Sequence, residues 1–151
     1  MWQRIQTLFL VILILALLVS LVVPIWSVEV NGETSVLTAF YYLNSGTYQY
    51  NPYSLTAILA IAAVTIAITE ITKFKNRLTQ VKLGALNSLF LVGVLVCAFY
   101  FSNQTMKALE GTKGQYGLGM WLPFLAVICN LLANRFIRRD EKLVRDSDRL
   151  R

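Results

Sequence analysis

The chain has 151 residues, of which 56% are hydrophobic, and its mean hydropathy is +0.58. Because soluble domains are nearer about 45 to 50% apolar, the composition excludes an ordinary soluble protein and indicates one membrane domain. The net charge is +6, and the chain contains no histidine. Since histidine is the commonest general base and metal ligand, the sequence indicates no enzyme, cofactor or metal site.

The first predicted element is an apolar stretch from residue 7 to 26, in which Ser20 is the only polar residue between Thr7 and Pro24. A helix of about 20 residues crosses a hydrocarbon core of roughly 30 Å. The stretch is longer than a signal-peptide core and no small-residue cleavage site follows it, so we predict a retained membrane span that ends near Trp26.

The next segment, residues 27–52, is polar and carries no Lys or Arg. Asn31-Gly32 favours a type I′ turn between two β-prone runs, which predicts a β-hairpin in this outer loop. A two-residue turn would pair Trp26 with Leu37 and Val28 with Ser35.

Three further apolar stretches predict spans at residues 53–72, 83–101 and 120–137, with a cytoplasmic loop at 73–82 and a second outer loop at 102–119. In the second span, Ala60, Ala63 and Ala67 share one side, where small residues permit close helix packing. Pro123 falls in the first turns of the fourth span, where proline is tolerated.

The basic residues predict the orientation. Twelve of the fourteen lie at the termini or in the loop 73–82, and only Lys107 and Lys113 lie on the other side. By the positive-inside rule, both termini and the tail 138–151 should be cytoplasmic.

The seven tyrosines all lie in or near the predicted outer loops. A belt of interfacial aromatic side chains explains most of them. The alternative is an outer aromatic surface that binds carbohydrate or lipid headgroups, formed by Tyr41, Tyr42, Tyr48 and Tyr50.

Glu70 is the one acidic residue near membrane depth. It lies close to the basic loop, so we expect it to pair with Lys73 or to reach the headgroups. The alternative is an ion or proton site, because ionisable groups inside a membrane are commonly functional.

Helix arithmetic places Asn87 and Asn130 at similar depths, about 7 to 10 Å from the cytoplasmic ends of their spans. They could meet across the third and fourth helices and form a helix-packing polar patch with Ser88, Asn134 and Glu70. Such a patch would act as interhelical glue; a small-solute site is the alternative. Cys97 and Cys129 lie at different depths and should remain free thiols.

The glycine-rich segment 111–119 lacks the residue order of a phosphate-binding loop and predicts a flexible turn. The tail after Arg135 should continue the fourth helix, since oppositely charged residues recur at helical spacing. It could contact anionic lipid or a protein partner through Arg138, Arg139, Leu143, Val144, Arg145 and Leu150. Its interleaved acidic residues argue against nucleic acid.

The opening Met-x-Gln-Arg-Ile-Gln-Thr and the closing segment from Arg138 to Arg151, RRDEKLVRDSDRLR, resemble a family of small bacterial four-helix inner-membrane proteins. That family is a domain of unknown function. The resemblance covers the whole chain and implies four spans and a bacterial inner-membrane location. It implies no activity.

The fold class predicted is an all-α membrane protein, a four-helix transmembrane bundle with a β-hairpin in the first outer loop. We expect a structural or accessory subunit of a membrane complex, in contact with the bilayer, a membrane-protein partner and anionic lipid at the cytoplasmic face. The alternatives are a small-solute transporter or channel, and a claudin-like architecture with an outer-loop binding surface. The last is an analogy of architecture and carries no function.

Overall fold

The computed structural model describes residues 2–30, 32–73, 76–109 and 114–149, with side chains described at 5–29, 32–73, 76–109 and 114–143. In these ranges the chain forms four helices and five strands. The helices are α1 (Trp2–Val22), α2 (Leu55–Thr72), α3 (Arg77–Ala108) and α4 (Leu118–Arg149). The strands are β1 (Trp26–Val30), β2 (Glu33–Leu37), β3 (Tyr42–Asn44), β4 (Thr47–Gln49) and β5 (Gln115–Tyr116).

The four helices form an antiparallel bundle, and each is long and apolar enough to cross a membrane. Helix α1 packs against α2 and α4, and α3 packs against the same two helices, so helices adjacent in the chain are adjacent in space. The strands all lie at one end of the bundle, the sheet end. The first residues of α1, the last residues of α4 and the adjoining ends of α2 and α3 lie at the other, the terminal end.

Regular burial along the helices explains the packing. In α3 the buried side chains alternate at steps of four and three residues from Gln80 to Thr105, which is the spacing of a coiled-coil seam. The facing side of α2 is small: Ala60, Ala63 and Ala67 are at most 1% exposed, on one face as the sequence predicts. Small side chains let the α3 backbone approach closely.

The sheet has the order β4-β3-β2-β1-β5, with every described pairing antiparallel. In the β1–β2 hairpin Trp26 pairs with Leu37 and Val28 with Ser35, which confirms the predicted register. A second hairpin, β3–β4, is not among the predicted elements. Its two turn residues, Ser45 and Gly46, both have positive φ angles, 46° and 80°, as a type I′ turn requires.

Strand β5 belongs to the glycine-rich segment before α4 and pairs with β1. The prediction of a flexible turn is wrong for the described part, residues 114–119; residues 111–113 lie outside it. Two backbone amides tie the segment down: Gly117 donates to the Ile25 carbonyl at 3.0 Å and Gly119 to the Pro24 carbonyl at 3.0 Å. Glycines without side chains allow the two backbones to approach this closely.

Helix ends differ from the predicted spans in both directions: α1 ends earlier than predicted, whereas polar residues continue α3 beyond its apolar stretch at both ends. Helix α1 ends before Pro24, which cannot continue it, so Trp26 lies in β1 rather than in the first span. Helix α3 begins inside the predicted loop 73–82, where the Asn76 side chain accepts a hydrogen bond from the Thr79 amide at 3.2 Å and caps the helix. It continues into the predicted outer loop, ending at Ala108.

Candidate polar site in the helix bundle

The bundle interior changes character along its length. At the sheet end, Trp26, Tyr53 and Phe101 belong to one buried apolar cluster, and a second cluster, which includes Leu13, Ala63 and Leu91, fills the middle. Towards the terminal end the same interior stripes become polar on all four helices. The buried residues there are Gln6 on α1, Glu70 on α2, Gln80 and Asn87 on α3, and Asn130 and Asn134 on α4.

Asn130 is the centre of the contacts between α3 and α4. Its side-chain amide donates to the Gly84 carbonyl at 3.1 Å and to Ser88 Oγ at 2.8 Å. Its oxygen accepts a long hydrogen bond, 3.5 Å, from Asn87. The meeting of Asn87, Ser88 and Asn130 expected from helix arithmetic is therefore present, as modest polar glue between two helices.

Gly84 makes room for a neighbouring asparagine. A Cβ atom built on Gly84 would collide with the amide group of Asn134. Asn134 is 7% exposed, and its Oδ1 has no hydrogen-bond partner among the described residues. Gly84 is thus a point of close contact between α3 and the Asn134 side chain of α4.

Glu70 is buried, so the expectation that it pairs with Lys73 or reaches the headgroups is wrong. Its side chain is 0% exposed, and neither carboxyl oxygen has a hydrogen-bond partner in the described part of the chain. The reason is helix phase: Glu70 continues the stripe of Ala60, Ala63 and Ala67 at helical spacing, whereas Lys73 lies beyond the last turn and is exposed.

One hydrogen bond connects the Glu70 backbone to α3. Gln80 Nε2 donates to the Glu70 carbonyl at 3.0 Å, across the α2–α3 connection. Gln80 lies one helical turn before Gly84, on the same buried seam. The polar residues of α2, α3 and α4 therefore occupy neighbouring levels at the terminal end.

The contributions of Gln6, Gln80 and Gly84 were missed from the sequence. Each is an ordinary residue near a helix end, and only its phase reveals its burial. Gln6 precedes Leu10, Leu13 and Leu17 at alternating steps of four and three, and Gln80 precedes Gly84 and Asn87 in the same way. Extending the apolar stripes by one turn would have found them.

A cavity of about 390 Å³ opens between α3 and α4 at the terminal end. Ala85 and Leu131 form its apolar wall, Arg135 and Arg138 line its basic side, and Ser88 and Asn134 of the polar cluster complete its lining. Apolar surface beside exposed cations matches the chemistry of a phospholipid with an anionic headgroup.

Helix α4 continues past this cavity. Arg77 of α3 contacts it through an ion pair with Asp140 at 3.3 Å and a hydrogen bond to the Asp140 carbonyl at 3.0 Å. Arg138, Arg139 and Leu143 are exposed. Val144 and Arg145 lie in the helix, their side chains outside the described set, and Leu150 lies outside the described residues.

At the sheet end, the structure divides the predicted aromatic surface. Tyr41 lies against Tyr48 and Tyr50, with ring centroids 5.2 and 6.0 Å apart, and the latter two are exposed. Tyr42 is instead 5% exposed and packs on Tyr53, at a centroid distance of 5.5 Å. Successive side chains of a strand point to opposite faces of the sheet, and Tyr42 in β3 points to the core. It is therefore not part of the outer aromatic surface.

Within the described residues, no group of three or more His, Cys, Asp or Glu side chains is placed to hold a metal ion. Cys97 and Cys129 are free thiols, as their predicted depths indicate.

Comparison with curated proteins finds none that matches the chain. A family model described as a domain of unknown function (DUF4293) matches residues 2–150. The match covers all but the first and last residues of the chain and agrees with the resemblance seen in the sequence. The chain therefore belongs to the DUF4293 family, a domain of unknown function.

Proposed function

We propose that the protein is a non-enzymatic accessory subunit of a membrane protein complex, located in a bacterial inner membrane with both termini in the cytosol. The observation that carries the proposal is the length of α4. This helix runs unbroken to Arg149, although Ile137 is the last of its described side chains that the bundle core buries.

The part of α4 beyond Ile137 extends about 18 Å from the bundle core at 1.5 Å per residue. Arg77 holds it at Asp140, and Leu143 beyond that point is 55% exposed. An isolated short helix is marginally stable in water, and most helices gain their stability from packing an apolar face. A partner that covers Leu143 and its neighbours would supply that packing.

Anionic lipid is the second proposed contact at this end. The cavity between α3 and α4 combines an apolar wall with Arg135 and Arg138. Basic pockets between membrane helices on the cytoplasmic side bind anionic headgroups. Lipid bound there would sit beside the base of the α4 extension and fix its position relative to the membrane.

A photo-crosslinking amino acid at position 143 tests the accessory role in living cells. We expect a discrete protein adduct from position 143. The matched control is position 89 of α3, where Leu89 is 68% exposed on the outer face of the bundle and should crosslink to lipid. Lipid adducts alone at both positions would contradict the proposal.

The outer sheet supports a second candidate function, a binding surface on a claudin-like architecture. The specific observation is the cluster of Tyr41, Tyr48 and Tyr50. Tyr48 belongs to the edge strand β4, whose three residues are all exposed. Exposed aromatic rings grouped beside a free edge strand suit a carbohydrate or an extended peptide. Replacing Tyr48 and Tyr50 with Ser should abolish such binding, and retained binding of a glycan or peptide library hit would exclude these rings as the site.

A transporter or channel remains the third candidate. Buried polar side chains on all four helices support it, and ion binding within the bundle would be its first requirement.

A further inference from the structure

The α3–α4 cavity changes character along one face of α4. Leu131, Asn134, Arg135 and Arg138 line it, and spacings of three and four residues place them on one helix face. Over about 10 Å towards the terminal end, this face turns from apolar to amide to cationic. A phospholipid has the same order from the membrane interior to its surface: acyl chains, ester groups and phosphate. The cavity therefore fits a lipid whose headgroup lies at the terminal end.

Asn134 offers this cavity an unused hydrogen-bond donor. Its Oδ1 is buried against Gly84 without a partner, which leaves Nδ2 as the polar atom that reaches the cavity. Nδ2 has no acceptor among the described residues. The hydroxyl group of Ser88, which also lines the cavity, already donates to the Gly84 carbonyl at 2.9 Å and accepts from Asn130 at 2.8 Å. A ligand in the cavity should therefore present an oxygen acceptor to Asn134.

Two cations line the same cavity without an acidic partner in the described part of the chain. Arg135 and Arg138 are exposed, and this helical spacing places their Cβ atoms about 5 to 6 Å apart. No acidic side chain is among the described residues of the lining, and Asp140 pairs with Arg77 instead. Like charges at such a spacing repel each other unless an anion neutralises them. A guanidinium group binds phosphate through two parallel hydrogen bonds, so each arginine can hold one phosphate.

The size of the cavity limits how the two charges can be neutralised. At about 390 Å³ it is near the lower limit of ligand pockets and has room for one headgroup rather than two. An ordinary phosphate diester carries one negative charge. One bound lipid therefore neutralises both arginines only if its headgroup carries two phosphates.

We propose that the α3–α4 cavity binds a lipid with two phosphate diesters, the chemistry of cardiolipin. The two phosphates contact Arg135 and Arg138. The acyl chains cover Ala85 and Leu131, and the Asn134 amide donates to a headgroup oxygen. This assignment rests on the anionic-lipid contact of the proposed function and names the class of lipid. Basic pockets between membrane helices on the cytoplasmic side suit such headgroups.

Thermal unfolding of the purified, delipidated full-length chain in detergent tests the assignment. The protein is titrated at equal total phosphate with cardiolipin, with phosphatidylglycerol, which has one negative charge, or with zwitterionic phosphatidylethanolamine. A ligand that binds only the folded state raises Tm, and the rise should saturate. We expect half-saturation with cardiolipin at a concentration about tenfold lower than with phosphatidylglycerol, because its second phosphate binds as part of the same molecule. Phosphatidylethanolamine should give no saturating rise.

Three variants and a control assign the effect to these residues. Arg135→Gln and Arg138→Gln each remove one charge from an exposed side chain, so both should fold, and each should bring half-saturation with cardiolipin close to that with phosphatidylglycerol. Asn134→Ala removes a donor without changing the charge and should weaken both lipids alike, by about tenfold. Arg139→Gln is the matched control, because Arg139 is exposed on the same helix and is not among the described residues of the lining. It should keep the tenfold preference.

Equal half-saturation with cardiolipin and phosphatidylglycerol would overturn the two-phosphate assignment and leave the anionic-lipid contact of the proposed function intact. No saturating rise with either lipid would overturn both. A preference lost in Arg139→Gln, or kept in both cavity arginine variants, would also overturn the assignment, because the charge of the whole tail would then select the lipid.

Inorganic diphosphate separates a lipid from a soluble anion. At the same phosphate concentration it should give no saturating rise, since it cannot cover Ala85 and Leu131. A rise as large as that with cardiolipin would contradict a lipid ligand. The protein adduct at position 143 tests the accessory role independently of these titrations.

Discussion

At the scale of single residues, two glycines of α3 show how packing decides the role of the same residue. A Cβ on Gly84 would collide with the Asn134 amide, whereas a Cβ on Gly93 would meet only the end of the flexible Leu59 side chain, at 3.3 Å. The sequence alone cannot separate the two, because both lie in an apolar stretch of one helix.

We predict that Gly84→Ala destabilises the protein by about 1 to 3 kcal/mol, the usual cost of overpacking a close contact. Gly93→Ala should be neutral or slightly stabilising, since alanine is the better helix former by about 1 kcal/mol. Thermal unfolding of both variants in the same detergent measures the difference. Equal Tm values for the two variants would refute the close α3–α4 contact.

Tyr53 gives a second prediction at this scale. Burial raises the pKa of Tyr53 above its usual value of 10.0, and the neighbouring Tyr42 adds to the shift. As the pH rises, the unfolded chain would therefore lose the Tyr53 proton before the folded chain does. The contribution of Tyr53 to the free energy of unfolding should be fully present below pH 10 and should fall as the pH rises above it. Tyr53→Phe removes the titrating group and should reduce that loss. A fall above pH 10 that is just as steep in Tyr53→Phe would contradict the assignment.

At the scale of elements, local chemistry predicts only part of the fold. The β1–β2 register follows from Asn31-Gly32 between β-prone runs, and the apolar stretches locate four helices. Strand β5 was not predictable in this way, because a two-residue strand has no pattern of its own and exists only through pairing with β1. The position of Glu70 differs from the prediction for a related reason: its closeness to Lys73 in the sequence indicates an ion pair, whereas the phase of the α2 stripe turns it into the interior.

The prediction at this scale concerns the extension of α4 beyond Ile137 and its binding of a protein partner. Replacing Leu143, Val144 and Leu150 with Ser removes its apolar residues and leaves every charge in place, at about 1 kcal/mol or more for each side chain that a partner buries. Membrane insertion should survive, because the bundle core is unchanged. Co-purification of a cytoplasmic partner with this triple variant should fall sharply. The position-143 protein adduct should fall in the same way when the crosslinker stands in the Val144→Ser, Leu150→Ser background. Neutralising Arg149 and Arg151 should reduce it less; the reverse order would mean that charge rather than shape holds the partner.

At the scale of the whole molecule, the buried amide and carboxyl side chains lie towards the terminal end of the interior, whereas the sheet end buries aromatic side chains and hydroxyls such as those of Ser102 and Thr105. The charges of the sequence follow the same axis. Twelve of the fourteen basic residues fall near the two chain termini or in the loop 73–82, and the described parts of these segments lie at the terminal end. The buried gradient and the surface charge are independent features of the chain, since one depends on helix phase and the other on loop composition. Both distinguish the same two ends.

The last prediction concerns that axis. Because short basic loops stay in the cytosol, the terminal end should face inward and the sheet end outward. Single cysteines at Thr34, Gln115 and Asn76, all exposed, can report this in a background with Cys97 and Cys129 replaced by Ala. A membrane-impermeant maleimide should label positions 34 and 115 in intact cells, and position 76 only after permeabilisation. Labelling of position 76 in intact cells would reverse the orientation and place the α4 extension outside the cytosol.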